Sequence, residues 1–195
     1  MDLSDIIGRC QQGDIDCFEE IYKLYYKKAF GTAYIISGEK GIAEDIVQES
    51  FIICYKSIKY LKNPKIFNTW FYKIVLRVSW RLSKKHKSSC SEDYTKDLNN
   101  CCDSNYNNND VAESVSIKLL LRQKIQQLKL PLKTVLILYY YNDMSIKEIS
   151  KVLDCFEGTV KSRLFKARKI LQNELEPYYK DTLEDIGLNG REANI

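Results

Sequence analysis

The run Gly158-Thr159-Val160-Lys161-Ser162-Arg163-Leu164-Phe165-Lys166 sets hydroxyls and cations between apolar residues at helical spacing. Val160, Leu164, Ala167 and Leu171 share one face, and Thr159, Ser162, Arg163 and Lys166 share the opposite one, with Lys161 and Lys169 beside it. Arg and Lys hold phosphate oxygens, and side chains near a helix N-terminus reach base edges. A shorter segment precedes this run. Ser145-Ile146-Lys147-Glu148 is a capping box that opens a helix to Leu153, with Ile146, Ile149, Val152 and Leu153 turned inward. Asp154-Cys155-Phe156 makes a tight turn. A short helix, a turn and a longer basic helix form a helix-turn-helix, whose second helix enters the major groove of DNA. An ordinary αα-hairpin with a charged outer face has the same spacing.

A second set of cations lies upstream. From Lys56 to Lys87 every charged residue is basic, apart from the single histidine His86. The helix expected from Phe67 to Lys85 carries Lys73, Arg77, Trp80, Arg81 and Lys84 on its outer face. An indole among cations suits a surface that stacks bases and follows a phosphate backbone. Trp80 packed on a neighbouring helix with one edge exposed is the competing reading. Two separate basic stretches suggest two contacts with a polyanion, although solvated helix faces give the same charge pattern.

A third stripe has different chemistry. Asp45, Gln48, Glu49 and Ile52 fall at helical spacing, away from the apolar positions of their helix. Carboxylate, amide and aliphatic groups on one face suit a protein interface, or a plain solvated face.

The elements that position these residues read as helices throughout. Asp16 and Glu19 resemble a capping box ahead of Phe18, Ile21, Tyr22, Tyr25, Ala29 and Ala33. Gly38 and Gly41 bracket a turn. Ala43, Ile46, Val47, Ser50, Phe51, Cys54, Tyr55, Ile58 and Leu61 then step by three and four. Pro64 breaks that helix, and the pattern resumes at Phe67, Trp70, Phe71, Ile74, Val75, Val78 and Leu82. Ser88 to Asp110 is rich in Ser, Asn and Asp and has no period, as expected of a pliant linker. Val115 to Leu128 is helical by period, Pro131 suits the first turn of a helix to about Tyr141, and Pro177 is expected to end the last helix. The fold class is therefore all-α. Two small helical bundles are joined by a flexible linker, the second containing the helix-turn-helix. The boundaries are 1–86, a linker at 87–112, 113–176, and a polar tail at 177–195.

The chain has 195 residues with a net charge of +4, too mild by itself to prove nucleic-acid binding. Seven cysteines, an odd number without framework spacing, imply reduced thiols. The start, Met1-Asp2-Leu3-Ser4-Asp5, is not a signal peptide, and no apolar run is long enough to span a bilayer, so a cytoplasmic location is expected. His86, Cys90, Cys101 and Cys102 have no familiar zinc spacing, and no Gly-rich phosphate loop occurs. Neither a metal nor a cofactor is expected, and no catalytic constellation supports an enzyme.

Stretches in three regions carry a resemblance. Ala43-Glu44-Asp45-Ile46-Val47-Gln48-Glu49-Ser50-Phe51 closely resembles region 2.2 of the sigma-70 superfamily. Phe67-Asn68-Thr69-Trp70-Phe71-Tyr72-Lys73-Ile74 is similar to the start of its region 2.4 helix. Leu130-Pro131, Tyr139-Tyr140, the Ser145–Ile149 segment and the Gly158–Arg168 segment resemble region 4. Their order is that of the small extracytoplasmic-function sigma factors, which have domains two and four only.

The resemblance implies roles. Asp45, Gln48, Glu49 and Ile52 would bind core RNA polymerase at the clamp helices of β′, and domain four would lie on the β flap. Lys56, Tyr60, Lys62, Asn63, Lys65, Arg77, Trp80, Arg81 and Lys84 would open and hold the minus-ten element of promoter DNA. Gly158, Thr159, Lys161, Ser162, Arg163 and Lys166 would read the minus-thirty-five element. An anti-sigma factor, possibly membrane-bound, would restrain the protein. Two departures from the family pattern stand out: Arg77 and Arg81 replace the common Asn and Asp, and Phe156 stands where a capping Ser is common. A free-standing helix-turn-helix regulator is the alternative, and it leaves residues 43–51 unexplained.

Overall fold

The computed structural model describes residues 3–89 and 111–185, and every regular element among them is helical. The N-terminal bundle contains α1 (Leu3–Gln11), α2 (Ile15–Ser37), α3 (Lys40–Ser57) and α4 (Phe67–Ser89). The C-terminal bundle contains α5 (Val111–Gln127), α6 (Leu130–Leu136), α7 (Ile146–Val152) and α8 (Glu157–Asp185).

Aromatic rings fill the N-terminal core. Phe67, Phe71 and Tyr72 of α4 are fully buried. Phe71 lies 5.0 Å from Phe51 and 5.3 Å from Tyr25, centroid to centroid. These rings join α2, α3 and α4 at the separations favoured for offset and edge contacts. The C-terminal core is aliphatic, built from Val135, Leu138, Ile149, Val152, Val160 and Leu164.

Helix ends depart from expectation where several residue types could serve. The cap of α2 is Asp14, whose carboxylate accepts from the Asp16 and Cys17 amides at 3.0 and 3.4 Å, so Asp16 lies inside the helix. The Cys17 thiol and the Arg9 guanidinium both donate to Asp14, and they hold its carboxyl down at about 2. Gly38 closes α2 with φ of 83°, where a Cβ would be strained, whereas Gly41 is an ordinary residue of α3. The helix expected through Leu61 ends at Ser57 and tightens into a 3₁₀ turn at Ile58–Tyr60. Gln11 Nε2 fastens that turn by donating to the Ile58 and Leu61 carbonyls at 3.0 and 2.7 Å.

Helix α4 continues through Ser89, beyond the expected linker start, and the linker from residue 90 to 110 lies outside the described residues. Pro177 does not end α8, which continues to Asp185. Pro has no N–H to give, so one i→i−4 bond is lost there, but the neighbouring turns are not interrupted.

The helix from Pro131 to Tyr141 changes pitch. After α6 the chain widens into a π turn over Ile137–Tyr141, with the Asn142 amide bonded to the Ile137 carbonyl at 3.0 Å. The widened turn lies against α2. Tyr141 Oη donates to the Lys27 carbonyl at 3.2 Å, and Asn142 Nδ2 donates to Thr32 Oγ1 at 2.9 Å. The two bundles thus meet directly.

Candidate nucleic-acid and protein interfaces

Helix α7 has the expected capping box. Ser145 Oγ accepts from the Glu148 amide at 3.3 Å, and Glu148 Oε2 accepts from the Ser145 amide at 2.9 Å. Its other end closes through Asp154, with the Cys155 amide bonded to the Ser150 carbonyl at 3.0 Å. That 6→1 bond, with a left-handed residue just past the helix, sets the sharp entry into α8. Ile149, Val152, Val160, Leu164 and Ala167 are buried between the two helices, as the spacing predicts.

On the outer face of α8, Gly158, Lys161, Ser162 and Lys166 are exposed, and Thr159 and Arg163 are half-buried. A basic, hydroxyl-bearing surface therefore begins at the helix N-terminus. Two aromatic residues outside the expected recognition set flank this face, Phe156 just before α8 and Phe165 on it. Phe156 is 88% exposed and Phe165 is 70% exposed. Their position off the buried stripe was the available signal. Phe156 takes the cap position through its backbone, its carbonyl accepting from the Thr159 amide at 2.9 Å.

The N-terminal bundle carries the second set of candidate residues. Lys56 lies in the last turn of α3, and Tyr60, Lys62, Asn63 and Lys65 follow on the connection to α4, all exposed. Asn63 accepts from the Lys65 amide at 3.0 Å, which fixes the loop and leaves its amide NH₂ for other partners. Tyr60 is 72% exposed, with the Lys59 ammonium 5.0 Å from its ring centre. Beside them opens a cavity of about 480 Å³ lined by Cys10, Gln11, Phe18, Tyr55, Lys56 and Tyr60, among others. Arg77, Trp80, Arg81 and Lys84 are exposed further along α4. Trp80 is 40% exposed, so its indole is open along one side.

The third surface is the outer face of α3. Asp45, Gln48 and Ile52 are exposed and Glu49 is half-buried. Gln48 and Ile52 border a groove of about 600 Å³ whose walls include Tyr22, Tyr26, Phe51 and Tyr55. Tyr22 and Tyr55 follow the core period in the sequence, yet they are 40% and 51% exposed and line this groove. Glu49 and Arg81, assigned to separate surfaces, form an ion pair between α3 and α4. The second and third surfaces therefore meet along one edge.

The cysteines are packing residues where they are described. Cys17 and Cys54 are buried, and burial pushes the Cys10 and Cys54 thiols up to about 12, far from the reactive thiolate range. Among the described residues no group of His, Cys, Asp and Glu is placed to hold a metal ion, and no helix is long and apolar enough to cross a membrane. Cys90, Cys101 and Cys102 lie outside the described residues.

Both bundles match family models. Residues 21–88 match "Sigma-70 region 2" and residues 118–171 match "Sigma-70, region 4". The ECF RNA polymerase sigma factor SigW of Bacillus subtilis is 30% identical over 176 residues, covering 87% of this chain and 94% of that protein. The chain belongs to the extracytoplasmic-function (ECF) sigma factors. A sigma-E factor of Haemophilus influenzae is 29% identical over 181 residues, covering 88% of this chain and 94% of that one.

The fold agrees with solved structures. The sigma factor RpoE of Bartonella quintana, solved with the anti-sigma factor NepR, superposes with a TM-score of 0.65 at 18% identity, covering 83% of this chain and 98% of that one. CnrH, solved with the cytosolic domain of CnrY, gives 0.68 at 16% identity, covering 90% and 97%. As an ECF sigma factor this protein directs transcription initiation by RNA polymerase. A match in both regions does not favour the free-standing regulator.

Proposed function

We propose that this sigma factor divides its work among the three surfaces and leaves catalysis to the polymerase. The outer face of α3, with Asp45, Gln48, Glu49 and Ile52 beside the aromatic groove, binds the β′ clamp helices of core polymerase. The C-terminal bundle lies on the β flap. Lys161, Ser162, Arg163 and Lys166, with Gly158 and Thr159 at the helix N-terminus, read the minus-thirty-five element as duplex DNA. Lys56, Tyr60, Lys62, Asn63, Lys65, Arg77, Trp80, Arg81 and Lys84 hold the opened minus-ten element. Strand capture requires stacking rings beside cations and a recess for an extruded base. Tyr60 and Trp80 supply the rings, and the cavity beside Lys56 supplies the recess.

The observation that carries this reading is the combination of an exposed helix-turn-helix face with an aromatic, acid-flanked groove on a separate bundle. A plain DNA-binding regulator has no use for the second. The protein is not an enzyme, acts in the cytoplasm where the polymerase is, and is a target for an anti-sigma factor. The first test is co-elution of the purified protein with bacterial core RNA polymerase on size exclusion, without DNA. Co-elution is expected. A folded, inhibitor-free protein that elutes alone would replace this reading with the free-standing regulator.

A further inference from the structure

At 88% exposure, Phe156 is the most exposed large apolar residue among those described. Its backbone is nevertheless held on both sides. Before it, the Cys155 amide is bonded to the Ser150 carbonyl at 3.0 Å, with Asp154 left-handed at φ of 48°. After it, the Phe156 carbonyl accepts from the Thr159 and Val160 amides at 2.9 and 3.2 Å. Cys155 packs against the core, and the next side chain is turned out. The ring is an apolar group mounted on a fixed backbone.

Local folding does not call for a ring at this position. A hydroxyl, carboxylate or amide side chain here would cap α8, whereas a benzyl group caps nothing and buries little. The groups that follow it are of another kind. Glu157, Gly158, Lys161 and Ser162 are all exposed on the first turns of α8. A Cβ at Gly158 would meet nothing within 4 Å, so the approach past the helix start is open.

The leading end of a recognition helix is the part that meets base edges in the major groove. Those edges offer donors, acceptors and one apolar group, the 5-methyl of thymine. Resting on the assignment of α8 to the minus-thirty-five element, we infer that Phe156 is a specificity-determining residue that reads the 5-methyl of a thymine at the edge of that element. Contact takes apolar surface of both ring and methyl out of water. The cations and hydroxyls of α8 set the register, and Phe156 adds a preference for a methylated pyrimidine at one position.

Helix geometry limits where that thymine can be. Phe156 precedes Ser162 by six residues, which is roughly 9 Å along the axis at the helical rise per residue. At the spacing of stacked base pairs, the thymine lies no more than roughly three base pairs from the pair nearest Ser162.

The test uses the full chain assembled with bacterial core RNA polymerase, as wild type, Phe156→Ser and Phe156→Leu. Serine supplies a side-chain cap, so the fold is not at risk, and leucine keeps an apolar tip. Each holoenzyme first selects its element from randomised duplexes of promoter length. Every thymine of the wild-type element is then replaced in turn by deoxyuridine, which removes the methyl and keeps the base pair, and titration reads the affinity. At one thymine, uridine is expected to weaken the wild-type complex about fourfold, the worth of one buried methyl, and to leave Phe156→Ser unchanged. Phe156→Leu should keep part of the penalty, and 5-methylcytosine at that position should bind wild type better than cytosine does. A uridine penalty that is equal in wild type and Phe156→Ser at every thymine would overturn the inference. So would a loss in Phe156→Ser that is the same on all sequences, which would place the ring on the sugar-phosphate backbone. A loss of core binding with DNA selection unchanged would place the ring on a protein and overturn it too. Arg163→Ala with Lys166→Ala separates the two levels: if selection of the element survives that pair, the assignment of α8 fails and the contact with it. If that pair abolishes selection and no uridine penalty depends on Phe156, the contact alone fails.

Discussion

The two bundles place functional side chains by different means. In the N-terminal bundle Phe51, Phe67, Phe71 and Tyr72 form one ring cluster, and the candidate residues are the outward positions of the helices that carry those rings. In the C-terminal bundle no aromatic residue is fully buried among those described, and the candidate residues depend on helix ends. The Ser145–Glu148 box, the left-handed Asp154 and the carbonyl of Phe156 aim α8. The lesson is that a surface set by packing should fail all at once when its core is opened. A surface set by caps should lose its aim in smaller steps.

The strongest way to break this comparison is Phe71→Ala. Removing a fully buried ring from the centre of the cluster costs about 3 to 5 kcal/mol. Thermal melting should show a large drop, and core binding and minus-ten capture should weaken together. Loss of one without the other would mean that the two faces do not share one rigid support.

Next in size are two pairs of surface changes that leave both cores intact. Arg163→Ala with Lys166→Ala should weaken promoter binding about tenfold or more, since a good base or phosphate contact is worth about 1 to 3 kcal/mol, while core binding is unchanged. Asp45→Ala with Gln48→Ala should weaken core co-elution and spare binding to an isolated minus-thirty-five duplex. If both pairs abolished the same activity, the division of labour would be wrong.

Ser145→Ala tests the caps. It removes the hydroxyl that accepts from the Glu148 amide, and should lower stability by about 1 kcal/mol. The effect should be confined to the C-terminal bundle, with amide exchange faster in α7 and unchanged around Phe71. Exchange that rises equally in both bundles would show that the interface makes them one cooperative unit.

These contrasts also explain what could be read in advance. The inward residues of α3, α4, α7 and α8 were legible because a 3.6-residue period is repeated over several turns. The exposed cations and Trp80 were legible as what that period left over. The α2 cap was misplaced because Asp14 and Asp16 are equally good capping types, and only the reach of one carboxylate to two amides separates them. Pro177 misled because a proline weakens a helix without obliging it to stop. The contact between bundles had no signal at all. It is built from Gly31, Thr32, Tyr141 and Asn142, residues with no shared period, meeting across more than a hundred positions of chain.

The smallest effect bears on the edge where the two N-terminal surfaces meet. Glu49 is expected to contact polymerase and Arg81 to contact DNA, yet they pair with each other across α3 and α4. Their side chains are 35% and 57% exposed, so solvent screens the pair, and its coupling should be less than about 1 kcal/mol. A double-mutant cycle with Glu49→Gln and Arg81→Gln on the melting temperature should therefore give near-additive losses. Binding should discriminate more than stability does. If Arg81 leaves Glu49 to hold a phosphate, Glu49→Gln removes a competitor, and minus-ten affinity should rise slightly as core affinity falls. A fall in both would mean that Glu49 positions Arg81 for DNA, and that packing alone does not place every functional side chain of the aromatic bundle.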